Sequence, residues 1–151
     1  MAEDRDALLK HNRDSRSRLL ASIDGLSEEA LTEWSIDGWS TKDHLAHVAL
    51  WDEIRAAEVA RISAGHESAW RLDAEQDASY NAIGYANAKE LSLDQVRWEL
   101  ATSRQKLLDA ILSATARGLD GSLYGEAGLR SGHELEHAGW IHEWRGKREK
   151  R

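Results

Sequence analysis

Three serines, each followed three residues later by an acid or an amide, punctuate this chain: Ser40 with Asp43, Ser92 with Gln95 and Ser131 with Glu134. Such a pair closes the free N–H groups at the start of a helix. The serine hydroxyl accepts from the backbone of the third residue, whose side chain accepts in return from the backbone of the serine. Apolar residues recur at helical spacing on either side of these signals, no proline interrupts them, and no alternating pattern lasts beyond four or five residues. The pattern predicts an all-α fold.

The segments follow from the same signals. A first helix is expected over residues 3–24, with Leu8, Leu19, Leu20 and Ile23 on its apolar face and Gly25 as its stop. Residues 27–31 read as a helical turn capped by Ser27, and residues 34–39 as a turn-rich connection carrying Trp34 and Trp39. A second helix runs over 40–64, a looser segment over 66–72, and a third helix, weakened by Gly84, over 73–89. Ser92 opens a long helix to about residue 117, and Ser131 a last one to about residue 145. The five glycines of residues 118–132 make a loop, with neither a preceding strand nor the Gly-Lys-Ser/Thr of a phosphate cradle. With no repeat or linker, the 151 residues are expected to form one helical bundle domain with a long crossover, and residues 145–151 its basic tail.

Composition removes several functions. There is no cysteine, which excludes disulfides, thiolate zinc sites, iron–sulfur clusters and a cysteine nucleophile, so a metal would be held by histidine and carboxylate. The formal net charge of -7 argues against nucleic acid as a partner, and the basic tail is expected only to complement a helix dipole. The charged opening residues carry no signal-peptide pattern, and no apolar run approaches the 18 or so residues of a membrane span. A cytoplasmic protein without membrane contact is the expectation.

The histidines carry the chemistry. His133 and His137 stand at i and i+4 in the last helix, one turn apart on one face, where both rings can reach one ion. On a helical wheel they share an arc with Leu129, Trp140, Ile141 and Trp144, which is expected to face the core, while Ala138 and His142 lie outside it. Two adjacent buried imidazoles each need a partner, and a shared cation satisfies both. The second helix offers His47, followed at one-turn spacing by Leu50, Trp51 and Ile54. His44 lies only about 60° round the wheel and competes for the same role.

The stretch Trp39-Ser40-Thr41-Lys42-Asp43-His44-Leu45-Ala46-His47-Val48-Ala49-Leu50-Trp51-Asp52, together with the later His133-x-x-x-His137, resembles the DinB/YfiT-like superfamily. The resemblance implies a four-helix bundle in an up-down-down-up arrangement, often a homodimer. It also implies a divalent ion, zinc or nickel, held by His47, His133 and His137. The superfamily includes S-transferases and isomerases that use a low-molecular-weight thiol, and the Trp140 and Trp144 tail is closer to its uncharacterised branches.

The first functional reading is therefore a metal-dependent hydrolase or thiol-dependent transferase acting on a small molecule. The alternative is a non-catalytic metal- or ligand-binding module on the same fold. Asp52, Glu58 and Glu136 are expected on solvated faces, and no general base is assigned. The seven tryptophans are expected mostly as core filler, with Trp39 and Trp51 as candidate pocket walls. Leu135 and the alanines of the second helix offer a face for a dimer.

Overall fold

The computed structural model describes residues 2–70, 74–124 and 129–151. Along the chain run α1 (Arg5–Ile23), α2 (Glu28–Thr32), β1 (Trp34–Ile36), β2 (Trp39–Ser40), α3 (Thr41–Ser63), α4 (Ala74–Lys89), α5 (Leu93–Leu112) and α6 (His133–Glu149), with a 3-10 turn at Gly121–Tyr124 before α6. The long helices α1, α3, α5 and α6 pack together, α3 chiefly on α5 and α1 on α6, while α4 lies against α3. The architecture is the expected all-α bundle. No helix among the described residues is long and apolar enough to cross a membrane.

Two of the three serine signals act as read. At Ser40 and at Ser92 both reciprocal bonds form, with Asp43 and Gln95 returning the bond to the serine N–H at 2.9 and 2.8 Å. The third does not. Gly132 takes the cap position of α6 without a side-chain bond, and Ser131 Oγ instead accepts from the His133 N–H. The reason is competition, because a buried ion cluster takes the Glu134 carboxylate. The connection after α2 is a hairpin rather than a plain turn, pairing Trp34 with Ser40 and Ile36 with Trp39. Its central Asp37 and Gly38 have φ of 50° and 82°, the left-handed pair that a two-residue hairpin turn requires. Strands of three and two residues are too short to show alternation, but the Asp-Gly pair was a readable sign. The first two helices lie within a residue or two of expectation. By contrast α5 stops at Leu112, short of residue 117, and α6 carries the basic tail on to Glu149, where Arg148 pairs with Glu33 at 2.7 Å.

The core is aliphatic. Leu8, Leu19, Leu31, Leu45, Ile62, Ile111 and Ile141 are fully buried, each contributing about 1.5–3 kcal/mol relative to exposure. The expectation that tryptophan fills the core fails. Trp144 is buried, but Trp34, Trp98 and Trp140 are exposed. Of the alanines of α3, Ala46, Ala49 and Ala56 are buried, while Ala57 and Ala60 are exposed. On α6 the buried stripe is Glu134, His137, Ala138, Ile141 and Trp144. It is centred nearer Ala138 than the wheel placed it, which leaves His133 and Trp140 on its flank.

At the centre of the bundle each of the four long helices contributes one charged side chain. Arg16 Nη2 donates to Asp52 Oδ2 at 2.6 Å and Arg16 Nε to Glu134 Oε1 at 2.8 Å. Arg104 donates to both oxygens of Asp52, at 2.8 and 3.1 Å, and to Glu134 Oε2. The remaining donors reach the carbonyls of Leu100 and Asn12. Asp52 is fully buried and Glu58 nearly so, contrary to the solvated placement expected for them. Asp52 lies four and three residues after the core residues Val48 and Ala49, and Glu58 four before Ile62, so the stripe itself marked them.

Candidate metal centre

α3 and α6 face each other across a cluster of imidazoles. His47 Nε2 stands 3.0 Å from His133 Nε2, which stands 3.1 Å from His137 Nε2. One ligand atom from each of the three lies within 4.8 Å of the other two, and no carboxylate joins this group among the described residues. The i, i+4 spacing supplies the pair on α6, and the Ser40–Asp43 box fixes where α3 starts and so which turn carries His47.

Position separates His44 from His47. His44 stands behind the group, its Nδ1 2.8 Å from Nδ1 of His137. It therefore holds the ring nitrogen that faces away from His47 and His133. His44 is buried, and its Nε2 has no partner among the described residues. Of the others, His11 contacts the Ser131 carbonyl at 3.2 Å, and His66 and His142 are exposed.

Burial keeps these rings neutral. It lowers His47 to about 4, with His44 and Arg55 adding repulsion. Burial, then His47 and Arg55, lower His133 to about 3. Burial, then the other three histidines of the cluster, lower His137 to about 2. His44 is lowered too, by burial against the opposing charges of Asp43 and Asp37. A neutral imidazole offers a lone pair at one nitrogen and a proton at the other.

The donor set fits a divalent cation. Nitrogens bonded at about 2.0–2.1 Å to one ion stand about 2.9–3.4 Å apart across octahedral to tetrahedral angles, and the two short separations fall in that range. Three imine nitrogens turned toward one another need protons between them or a cation among them. Neutral imidazole is a ligand for zinc, nickel, copper and iron alike. The His44 contact completes the arrangement, since a ligating histidine commonly has its other ring nitrogen held by a partner that fixes tautomer and orientation.

Aromatic rings wall the group. Trp39 sits edge-on at 5.2 Å from the rings of His44 and His47 and stacks on Tyr85 at 5.6 Å. Trp51 lies 6.3 Å from His47 and 6.2 Å from His133, its indole N–H donating to Asn81 Oδ1 at 2.9 Å. Trp140 lies 4.9 Å from His137. Trp39 and Trp51 thus stand where the sequence suggested pocket walls. The sequence reading missed His44 as a support for His137, and it missed Arg55, whose Nη2 donates to Ser131 Oγ at 2.6 Å two residues before His133.

A helical bundle with a histidine triad between two of its helices is the class that fold and site define. Residues 11–145 match the DinB superfamily, and the chain belongs to it. A crystal structure of an uncharacterised protein from Escherichia coli UTI89 is similar in fold, with a TM-score of 0.76, 16% identity, and coverage of 96% of this chain and 94% of that one. The mycothiol-dependent maleylpyruvate isomerase is also similar, with a TM-score of 0.65 and 17% identity over 92% of this chain. The match spans 58% of the isomerase chain. No protein of curated function matches in sequence.

Proposed function

We propose that this chain is a metal-dependent enzyme acting on a small molecule, with His47, His133 and His137 holding a divalent ion, zinc or nickel. The observation that carries the reading is the convergence of three neutral imidazole nitrogens from two helices. An ion held by three histidines keeps an open position and brings the pKa of a bound water toward neutrality, or equally favours a thiolate. The protein's own part is to keep the three rings unprotonated by burial, to orient His137 through His44, and to shield the site with Trp39, Trp51 and Trp140. The reaction is hydrolysis or thiol-dependent transfer. The likeness to a mycothiol-dependent enzyme supports the second of these, with a low-molecular-weight thiol as co-substrate.

Elemental analysis of protein purified without a polyhistidine tag tests the assignment. The wild type is expected to carry close to one equivalent of metal and a His47→Ala, His133→Ala double variant almost none. Equal, negligible loading of both would end the proposal.

A finer outcome concerns His44. Losing a partner that orients a ligating histidine commonly costs about 10–100-fold in metal affinity. His44→Phe is expected to weaken zinc by that range in competition with a chromophoric chelator. His44→Asn, whose amide oxygen can again accept from His137, is expected to recover part of it. Unchanged affinity in His44→Phe would reduce the 2.8 Å contact to simple packing.

A further inference from the structure

α3 and α5, with Trp70, Tyr124 and Leu129, line a cavity of about 80 Å³ that shares Trp51 with the surroundings of the triad. Its walls are aliphatic and aromatic, with Ile54, Val59, Leu107 and Ile111 opposite Trp51 and Trp70. Two charged groups of α3 reach it, Arg55 and Glu58, and they differ in how they are satisfied. Glu58 accepts from the Ser68 hydroxyl and from the Ala69 N–H at 3.0 Å, and lies 3.4 Å from Arg61. Its charge is answered within the fold. Arg55 has no carboxylate partner among the described residues. Among the described residues its one hydrogen bond goes to a neutral hydroxyl, Ser131 Oγ. The nearby carboxylates Asp52 and Glu134 are taken by Arg16 and Arg104.

We propose that this cavity binds the apolar body of a small carboxylate substrate, with the Arg55 guanidinium pairing with the carboxylate beside His133. The inference rests on the metal-enzyme reading for its catalytic meaning and names the substrate class of that site. A guanidinium presents a planar fork that matches a carboxylate with two parallel bonds, and such bonds are strongest where water is excluded. Aromatic and aliphatic walls with a few placed polar groups are the usual make-up of a small-ligand site. Burial holds Arg55 below its ordinary value despite the attraction of Asp52 and Glu134, as expected of a cation whose desolvation is incompletely repaid. Through Ser131 the same guanidinium is tied to the residues that open α6, so a carboxylate on Arg55 places the rest of the ligand against Trp51 and the triad.

The test uses benzoate and its neutral counterpart benzamide, titrated calorimetrically into chelator-treated and zinc-loaded full-length protein. Benzoate is expected to bind both forms about 10- to 100-fold more tightly than benzamide, the range of a charge-assisted bond. Arg55→Gln is expected to erase that preference while leaving zinc affinity and benzamide binding in place, and Arg55→Lys to keep part of it. In the wild type the Arg55 Nε–H resonance is expected to shift on adding benzoate, a readout that survives should the variants fail to fold. Benzoate binding that requires zinc and ignores Arg55 would overturn the proposal, since the carboxylate would then be on the ion. A benzoate affinity no greater than that of benzamide would overturn it as well. Benzoate binding through Arg55 in a protein that takes up no metal would support the cavity and refute the metal reading.

Discussion

Asp52→Ala is expected to cost about 3–5 kcal/mol in urea unfolding followed by circular dichroism, the range for removing one partner of a buried ion pair. Asp52 accepts three of the hydrogen bonds that hold Arg16 and Arg104, and it is fully buried. Without it, two guanidinium groups share the single carboxylate of Glu134 in a place water does not reach. A protein of this size is stable by only about 5–15 kcal/mol, so the variant is expected to lose from about a fifth of its stability to nearly all of it. Asp52→Asn keeps the shape and loses the charge, and is expected to fall between the two. A loss below about 0.5 kcal/mol, the scale of ordinary surface changes, would show that the cluster holds nothing. The effect extends to the histidines, because Glu134 follows His133 directly and anchors the start of α6 to α1 and α5. Zinc affinity is expected to fall in any Asp52 variant that folds.

The second large effect is a loss of stability in mild acid. In the unfolded chain the histidines take up protons as the pH falls through about 6.5. In the fold His47 resists protonation down to about 4, His133 to about 3 and His137 to about 2, because burial disfavours the charged ring. Between those limits the unfolded state binds more protons than the native state, so stability falls as the pH drops from 6.5 toward 4 and is unaffected above about 7. Each histidine is expected to contribute on the order of 2 kcal/mol by pH 4, allowing for partial exposure. Chelator-treated protein unfolded in urea at pH 7.5, 6.0 and 5.0 should show midpoints that step down in that order. Replacing His47, His133 and His137 together by glutamine should flatten the series. A midpoint independent of pH over this range would contradict the burial of the rings. Bound zinc adds to the native state in proportion to the logarithm of its concentration over its dissociation constant, and is expected to raise the midpoint most at pH 7.5, where the lone pairs are free.

Much of the candidate site was legible because helical geometry is local. The i, i+4 spacing of His133 and His137 puts two rings on one face whatever the rest of the chain does. The Ser40–Asp43 box marks where α3 starts, and hence that His47 sits two turns in. The misreadings share a different origin. Charge at Asp52 and Glu58 was read from residue type, which favours solvent, although both stand at one-turn spacing from core residues of α3. Whether a core position tolerates a charge depends on partners from other helices, and Arg16 and Arg104 lie 36 and 52 residues from Asp52. The same competition removed the expected cap at Ser131, where a distant guanidinium outweighed a neighbouring backbone N–H for Glu134.

By itself the amino-acid sequence determined the all-α class, the starts of α3 and α5 and the residues able to form a histidine triad, since each depends on contacts within a few residues along one helix. Only the tertiary structure decided that His47 joins the triad while His44 holds the back of His137. A difference of about 60° around α3 separates the two, and the approach of α6 alone settles which ring it meets. Tertiary packing likewise turned Asp52 and Glu134 from ordinary acids into the centre of the bundle, because burial of charge is permitted only where opposite charges from remote segments arrive together.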